Sequence, residues 1–317
     1  MIAKREEEIR TFRPQEYYGL QVQAGKIQWT WQDQKSGGFR SFSKERIETI
    51  SSFVSNEKLS VKRWKKAAKK KYSAGGIYDL TELQRDANQK FGFSAKETLN
   101  IMQRLYENHK VLTYPRTDSR YIGTDIVDTI KDRLRAISVG PYKKLAGSLV
   151  MKPLRTNKSF VDDKKVSDHH AIIPTEQYVQ LEHMTSEERK IYDLVVRRFL
   201  SVLYPPFEYE QTTLHAVVLG EHAGKNSEEH FVAKGKIVKE AGWKTVYDYE
   251  EEEAEEGLKE QSLPTIEAGD RLPVERAAVT RGKTKPPAHF TEATLLSAME
   301  KSGQIYGEQR SKKLPEH

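Results

Sequence analysis

The sequence predicts a multidomain protein of the α+β class. Three observations support this prediction. The chain has 317 residues, enough for two or three domains with a substantial buried core. Short runs rich in aromatic and β-branched residues, typical of strands, occur within residues 17–60 and 207–247. Between them lie stretches with capping residues and apolar side chains at three- and four-residue spacing, which predict helices.

The first strand-rich stretch contains the runs Ile27–Trp31 and Gly37–Phe39, and it includes one predicted helix from Lys44 to about Ser52. Residues 62–71 then hold seven cations around a single tryptophan. This pattern indicates a strand or helix that contacts phosphates and offers a stacking ring. The alternative is a solvated connector that ends at a glycine pair.

Two helices are predicted between residues 81 and 110. Each begins with a capping box, in which a hydroxyl accepts an amide hydrogen and a side chain three residues later reaches back. The two boxes are Thr81 with Gln84 and Ser94 with Glu97. The apolar face of the second helix consists of Leu99, Met102, Leu105 and Tyr106, and we expect that helix to end near Lys110.

A third helix and a second strand-rich stretch follow. Thr185 and Glu188 form another capping box, and the predicted helix stops before Pro205. Its apolar face consists of Ile191, Leu194, Val195, Phe199, Leu200 and Leu203. Strands are then predicted within 207–247, an exposed flexible insertion at 248–260, and a short hairpin at 266–279.

The charge is unevenly distributed. The chain has 53 basic and 46 acidic residues, a formal charge of +7. The run 248–260 carries −7, so the rest of the chain carries +14. This surplus favours a polyanionic partner by attraction and counterion release, although a solvated lysine-rich surface gives the same composition. There is no cysteine, no apolar run long enough to cross a membrane and no secretion signal, so we expect a cytoplasmic protein without a membrane partner.

Residues 113–122 place a tyrosine beside two guanidiniums and a carboxylate. Tyr114 precedes Pro115, which disfavours helical geometry, so the tyrosine is predicted to lie at a turn. Arg116 and Arg120 can bind a phosphate and favour loss of the phenolic proton, which suits attack on a phosphodiester. The alternatives are a packing role for the tyrosine and a simple salt bridge from Asp118 to either arginine.

The octapeptide 114–121 resembles the active-site motif of type IA DNA topoisomerases, specifically their topoisomerase III branch. Three other stretches agree with that family in order and rough spacing. They are Tyr78–Gln84 followed by Phe91–Ala95, then Ser167–Thr175, and then Lys285–Pro287 followed by Phe290–Leu295. Four motifs in sequence make this resemblance specific.

The resemblance implies a role for each site residue. Tyr114 is the expected nucleophile, which forms a transient bond to a DNA 5′ phosphate, and Arg116 is expected to bind the scissile phosphate. His169 matches the family position that hydrogen-bonds near that phosphate. The expected DNA-binding residues are Thr117, Asp118, Ser119, Arg120 and His170. Asp118 would also orient Arg116 or relay a proton.

The resemblance also implies a domain organisation. Residues 15–74 and 204–275 would form the β-rich arch of a toroid, and residues 75–203 the mainly helical domain that carries the tyrosine. Residues 1–14 would be a remnant of the base domain, and 276–317 the start of its return, with an atypical sequence after about residue 301. We expect the product of a truncated or frameshifted gene.

Family members begin with a Toprim domain whose acidic residues bind Mg²⁺, and we find no such domain in this sequence. Magnesium is therefore the expected cofactor of the family, with its ligands in a domain absent from this chain. The acidic run 248–260 is not a substitute, because it lacks a strand context that would aim its carboxylates at one ion. Besides DNA, single-stranded or negatively supercoiled, a separately encoded Toprim polypeptide is a candidate partner.

These expectations leave three function classes. The first is a topoisomerase that breaks, passes and rejoins single DNA strands without ATP. The second is a catalytically inactive remnant that still binds DNA. The third is an RNA-binding or other phosphoryl-transfer protein, which a covalent 5′-phosphotyrosine adduct would exclude.

Overall fold

The computed structural model describes residues 1–72, 76–154, 156–222, 225–247, 258 and 260–300. The chain divides into two compact units. Unit 1 comprises Met1–Lys70, Glu208–Glu240 and Glu250–Ala288, and unit 2 comprises Lys71–Phe207, Ala241–Tyr249 and His289–His317. The predicted α+β class is confirmed, whereas the roles assigned to the predicted domains stay a prediction.

Unit 1 is built on one seven-stranded sheet. Its helices are α1 (Ile2–Thr11) and α2 (Lys44–Val54). Its strands are β1 (Glu16–Ala24), β2 (Ile27–Gln32), β3 (Lys58–Lys71), β4 (Phe207–His222), β5 (Lys225–Glu240), β6 (Glu260–Gln261) and β7 (Arg271–Lys283). The strand order is β2-β1-β7-β3-β4-β5-β6, and β2 also pairs with β5. Six strands therefore close into a ring, which removes most free sheet edges.

The interior of this ring is apolar. Trp29, Trp31 and Phe231 are fully buried there, together with Leu20 and Val22 of β1. The helix α2 packs its buried side chains Ile47, Ile50 and Val54 into the same cluster. Its predicted start at Lys44 is confirmed, and the Ser43 hydroxyl caps it by accepting the Arg46 N–H at 3.2 Å.

The cationic segment 62–71 is the second half of β3. Two of its lysines form ion pairs with β4, Lys66 with Glu210 at 3.1 Å and Lys70 with Glu208 at 2.8 Å. The segment is thus a paired strand, and its contact with phosphates stays a prediction. The hairpin predicted at 266–279 is wrong, because β7 pairs along β1 and with Lys58–Ser60 of β3, partners that are distant in sequence.

Unit 2 is mainly helical. Its helices are α3 (Leu80–Phe91), α4 (Ala95–Glu107), α5 (Thr124–Val127), α6 (Ile130–Ala136), α7 (Lys143–Val150) and α8 (Ser186–Leu203), and residues 292–300 are also helical. Every residue of the apolar face predicted for α8 is buried in one core. The capping boxes predicted at Ser94 and Thr185 are confirmed.

Two predictions for the first helices are wrong in detail. The cap of α3 is Asp79, whose carboxylate accepts the Glu82 N–H at 2.6 Å, not Thr81. The helix α4 ends at Glu107, and Lys110 has left-handed backbone geometry with φ 56°. The insertion predicted at 248–260 and the atypical sequence after residue 301 lie outside the described residues, apart from positions 258 and 260.

Candidate active site

Tyr114 lies at an irregular turn after α4, as predicted. Val111 and Leu112 are buried in the core of unit 2 and anchor the chain just before the turn. Pro115 is also buried, whereas Tyr114 itself is half-buried. The hydroxyl of Tyr114 forms no hydrogen bond with any residue that the structure describes. Within those ranges, the contacts of the Tyr114 side chain with other side chains are therefore made by its ring.

Backbone pairing brings the motif Ser167–Thr175 alongside this turn. The Thr113 N–H donates to the Ile173 carbonyl at 3.0 Å. The Thr113 hydroxyl donates to the Ala171 carbonyl at 2.9 Å and accepts the Ile173 N–H at 3.0 Å. One threonine side chain thus joins the two motifs immediately before the tyrosine.

This pairing places His169 against the tyrosine ring. The two ring centroids are 4.3 Å apart and the planes are tilted by 38°. On another side, Tyr106 of α4 meets the Tyr114 ring edge-on, with centroids 5.6 Å apart and planes at 82°. Tyr114 therefore contacts two aromatic rings, each carried by a different segment.

Arg116 is exposed and forms no hydrogen bond or ion pair within the described part of the chain. An unpaired guanidinium two residues after the tyrosine can accept a phosphate in bidentate geometry. Asp118 is also exposed, and its carboxylate accepts the Ser167 hydroxyl at 2.9 Å. The structure thus pairs Asp118 with the histidine-bearing segment, not with Arg116.

Thr117 and Ser119 are buried, with 6% and 4% of their surface exposed. The Thr117 hydroxyl donates to the His169 carbonyl at 3.2 Å and accepts the Ser119 N–H at 3.1 Å. The Ser119 hydroxyl donates to the Lys165 carbonyl at 3.0 Å. Both side chains hold the loop against the segment 165–169, and a DNA contact by either stays a prediction.

Arg120 points toward α3. Its guanidinium lies 3.8 Å from a carboxylate oxygen of Asp79 and 3.8 Å from one of Glu82. Burial raises the pKa of the Asp79 carboxyl, and the Glu82 N–H and Arg120 only partly offset that rise. Arg120 thus connects the tyrosine loop to the motif that begins at Tyr78.

His170 contacts residues that follow the tyrosine loop. Its Nδ1 accepts the Gly123 N–H at 3.2 Å, and its Nε2 lies 3.6 Å from the Asp125 carboxylate. The fourth motif also reaches unit 2, where the Glu292 carboxylate accepts the Ala95 N–H at 2.7 Å. The structure thus brings Tyr114, Thr117, Asp118 and His169 together, whereas Arg120 and His170 hold neighbouring segments.

Two further residues at this site were not predicted as functional. Tyr106 was assigned to the apolar face of α4, yet it is 38% exposed and the buried residues of that helix are Thr98, Ile101, Met102 and Leu105. Thr113 carried no signal beyond its place before the motif. A face shifted by one position toward the N-terminus, with Thr98 in place of Leu99 and without Tyr106, would have left Tyr106 outside the core.

Metal binding has no support in these residues. Within the described ranges, no three histidine or acidic side chains come together as a metal-binding group. Asp79 already caps α3 and Asp118 already accepts from Ser167. In the same ranges no helix is long and apolar enough to cross a membrane.

Comparisons with known proteins give one consistent result. A family model described as DNA topoisomerase matches residues 1–304. The chain is 56% identical over 303 residues to DNA topoisomerase 3 of Bacillus cereus (strain ATCC 10987 / NRS 248), which covers 95% of this chain and 40% of that protein. It is 47% identical over 312 residues to DNA topoisomerase 3 of Bacillus subtilis (strain 168), which covers 98% and 42%.

A solved structure agrees at the level of the fold. Full-length topoisomerase I from Thermotoga maritima matches with a TM-score of 0.67 and 24% identity, over 95% of this chain and 46% of that one. The chain spans 40% of the length of the Bacillus cereus protein and 42% of the length of the Bacillus subtilis protein.

Proposed function

The chain belongs to the type IA DNA topoisomerase family, and we propose that it acts in the ATP-independent breakage, passage and rejoining of single DNA strands. The curated relatives quoted above are named DNA topoisomerase 3, which supports a role of the topoisomerase III kind. The chain spans 40% of the length of one such relative. We therefore propose the cleavage step first, and strand passage and rejoining as the steps that would follow it.

In the proposed cleavage step, the Tyr114 oxygen attacks a backbone phosphorus. A phosphorus–oxygen bond forms to the tyrosine while the bond to the 3′ oxygen of the neighbouring nucleotide breaks. The phenolic proton leaves and the departing 3′ oxygen takes up a proton. Rejoining reverses these events, and since one phosphoester replaces another, no ATP is required.

One observation supports this proposal above the others. The Tyr114 ring is held between Tyr106 and His169, and Arg116 stands exposed and unpaired two residues further on. We propose that the Arg116 guanidinium binds the non-bridging oxygens and stabilises the charge that develops on them. His169 would donate to the phosphate from a ring that already contacts the nucleophile.

The remaining predicted residues are proposed to act through the loop. Thr117 and Ser119 hold the loop conformation by their buried hydroxyls, and Asp118 links it to Ser167. Arg120 and His170 are proposed as DNA-binding residues at the edges of the site. The Mg²⁺ that the family implies has no group of ligands among the described residues, so no step is assigned to it.

We also propose a cytoplasmic location, since that is where bacterial relatives would meet their DNA substrate. A separately encoded Toprim polypeptide remains a proposed partner, and it is tested by adding such a polypeptide to the cleavage reaction.

The experiment that tests the proposed function uses single-stranded DNA labelled at its 3′ end. After incubation with the chain and denaturation, label that migrates with the protein reports a covalent 5′-phosphotyrosine. We expect this adduct with the natural chain and none with Tyr114→Phe. An equal adduct from Tyr114→Phe, or an adduct seen only with 5′-labelled DNA, would overturn the proposal.

The inactive DNA-binding remnant is the alternative. It predicts single-stranded DNA binding of equal strength by the natural chain and Tyr114→Phe, with no adduct from either. We expect little or no relaxation of negatively supercoiled DNA by the chain alone even in the presence of Mg²⁺, so the adduct assay is the one that separates the two functions.

A further inference from the structure

We infer that Tyr106 is a positioning residue for the nucleophile: its ring fixes the direction of the Tyr114 phenol for attack on the phosphate. This inference rests on the proposed function of Tyr114. It adds a residue outside the four motifs and assigns a role to an aromatic side chain that the helical pattern placed in the core.

The first step of the argument concerns what holds Tyr114. No residue that the structure describes hydrogen-bonds its hydroxyl, so the direction of the oxygen depends on the two side-chain torsions that place the ring. The ring contacts are with His169, tilted by 38°, and with Tyr106, edge-on at 82°. An edge-to-face contact of this kind is favourable and orients both rings.

The second step concerns the rigidity of the support. Tyr106 lies in the last turn of α4, a helix with a complete capping box at Ser94. The neighbouring side chains Met102 and Leu105 are fully buried, so the helix is fixed to the core of unit 2. His169, by contrast, is exposed and stands on an irregular segment. Of the two rings that contact Tyr114, Tyr106 is the one carried by a regular, packed element.

The third step concerns Tyr106 itself. Its side chain is 38% exposed, more than expected of a residue retained for packing. Its hydroxyl forms no hydrogen bond within the described residues, so the ring is the part that contacts Tyr114. Removing the ring should therefore free one side of the nucleophile, whereas removing only the hydroxyl should change nothing.

The expected effect is on rate and not on affinity. A misplacement of reacting groups by about 1 Å can cost on the order of 10²-fold in rate. Losing one of the two ring contacts should cause part of that rate loss. We therefore expect Tyr106→Leu to lower the single-turnover cleavage rate by about tenfold. Affinity for single-stranded DNA, carried largely by the cations, should change by less than about twofold.

The matched control is Tyr106→Phe, which keeps the ring and removes the hydroxyl. We expect its cleavage rate and its DNA affinity to equal those of the natural chain. A Tyr106→Leu variant that cleaves at the natural rate would refute the inference. So would equal rate losses in the Phe and Leu variants, because they would assign the effect to the hydroxyl.

A second measurement does not depend on catalysis. In tyrosine-labelled chain, the Tyr114 ring signals, assigned with Tyr114→Phe, report the ring current of Tyr106. We expect them to shift in Tyr106→Leu and to stay in place in Tyr106→Phe. Unchanged signals in the Leu variant would overturn the positioning role. If the natural chain forms no adduct at all, the proposed function fails, while this spectrum still decides whether Tyr106 orients Tyr114.

Discussion

Thr113 offers a direct test of how the tyrosine loop and the histidine segment are held together. Its hydroxyl donates to the Ala171 carbonyl and accepts the Ile173 N–H, and both of those residues are fully buried. Thr113→Val keeps the shape and the β-branch of the side chain but removes the hydroxyl. The Ala171 carbonyl and the Ile173 N–H, which belong to buried residues, then lose their side-chain partner.

The expected magnitude follows from those two groups. Leaving one buried polar group unsatisfied costs about 1–3 kcal/mol, so the pair should cost about 2–6 kcal/mol. This is a large part of the roughly 5–15 kcal/mol that stabilises a domain. For a unit of this size, each kcal/mol lowers the thermal midpoint by about 2–4 °C. Thr113→Ser keeps the hydroxyl and should lose about 1 kcal/mol, for one methyl group.

Hydrogen exchange measured by mass spectrometry reports this change locally. Peptides that cover residues 111–116 and 170–175 should lose protection in Thr113→Val and keep most of it in Thr113→Ser. Urea unfolding should give the matching free-energy difference. The Val variant could instead keep the amide protection of the natural chain and an unfolding free energy within about 0.5 kcal/mol of it. That result would refute the idea that the Thr113 hydroxyl joins the two motifs.

Three further predictions concern charge and backbone. Arg116→Ala should lower the cleavage rate by about 10²-fold or more, with unfolding free energy within about 0.5 kcal/mol of natural; equal cleavage would exclude phosphate binding by this residue. Burial raises the pKa of Glu188, but hydrogen bonds from Arg104 and other groups lower it more, so the net shift is downward from 4.5 and stability is lost as pH falls below that value. Glu188→Gln should therefore flatten the acid dependence of the thermal midpoint, and an unchanged slope would contradict this assignment. Gly242 and Gly92 both have left-handed backbone geometry, but a Cβ at Gly242 would overlap backbone carbonyls, whereas the space at Gly92 is open. Gly92→Ala should lower the free energy of unfolding by about 1–2 kcal/mol, and Gly242→Ala should lower the thermal midpoint clearly more. Equal losses in the two variants would argue against the overlap at Gly242.

Much of the fold could be predicted from local patterns. The helix α8 has a capping box, an apolar face and a proline stop that all agree, and its whole predicted face is buried. Local patterns could not give the partners of β7, because its pairing with β1 joins residues 250 to 267 positions apart. Such pairings form only when the sheet closes, and a short window of sequence carries no information about that closure.

The start of α3 shows a competition between two possible caps. Asp79 and Thr81 can both accept an amide hydrogen, and the sequence pattern favoured the threonine. The structure selects Asp79 because Tyr78 before it is buried and the Leu80 N–H donates to the Thr117 carbonyl. A contact from the tyrosine loop thus decides where the helix begins.

The sequence could propose residues for the candidate site but not the geometry that surrounds them. The roles of Tyr114 and Arg116 stay a prediction of the motif, whereas the turn predicted from the proline after the tyrosine is confirmed. The contact with Tyr106 depends on which side of α4 faces the core, and adjacent helical positions differ by about 100°. An error of one position in the pattern was enough to hide that residue.

The central claim is that Tyr114 becomes linked to a DNA 5′ phosphate, and peptide mapping of the adduct tests it most directly. After cleavage of 3′-labelled single-stranded DNA, digestion with nuclease and trypsin should leave the nucleotide on the peptide Val111–Arg116, in which Tyr114 is the only tyrosine. We predict the added mass on that peptide, linked through a 5′ phosphate. Absence of any adduct, or a nucleotide found on a peptide that contains Tyr106 or Tyr121 instead, would contradict the account.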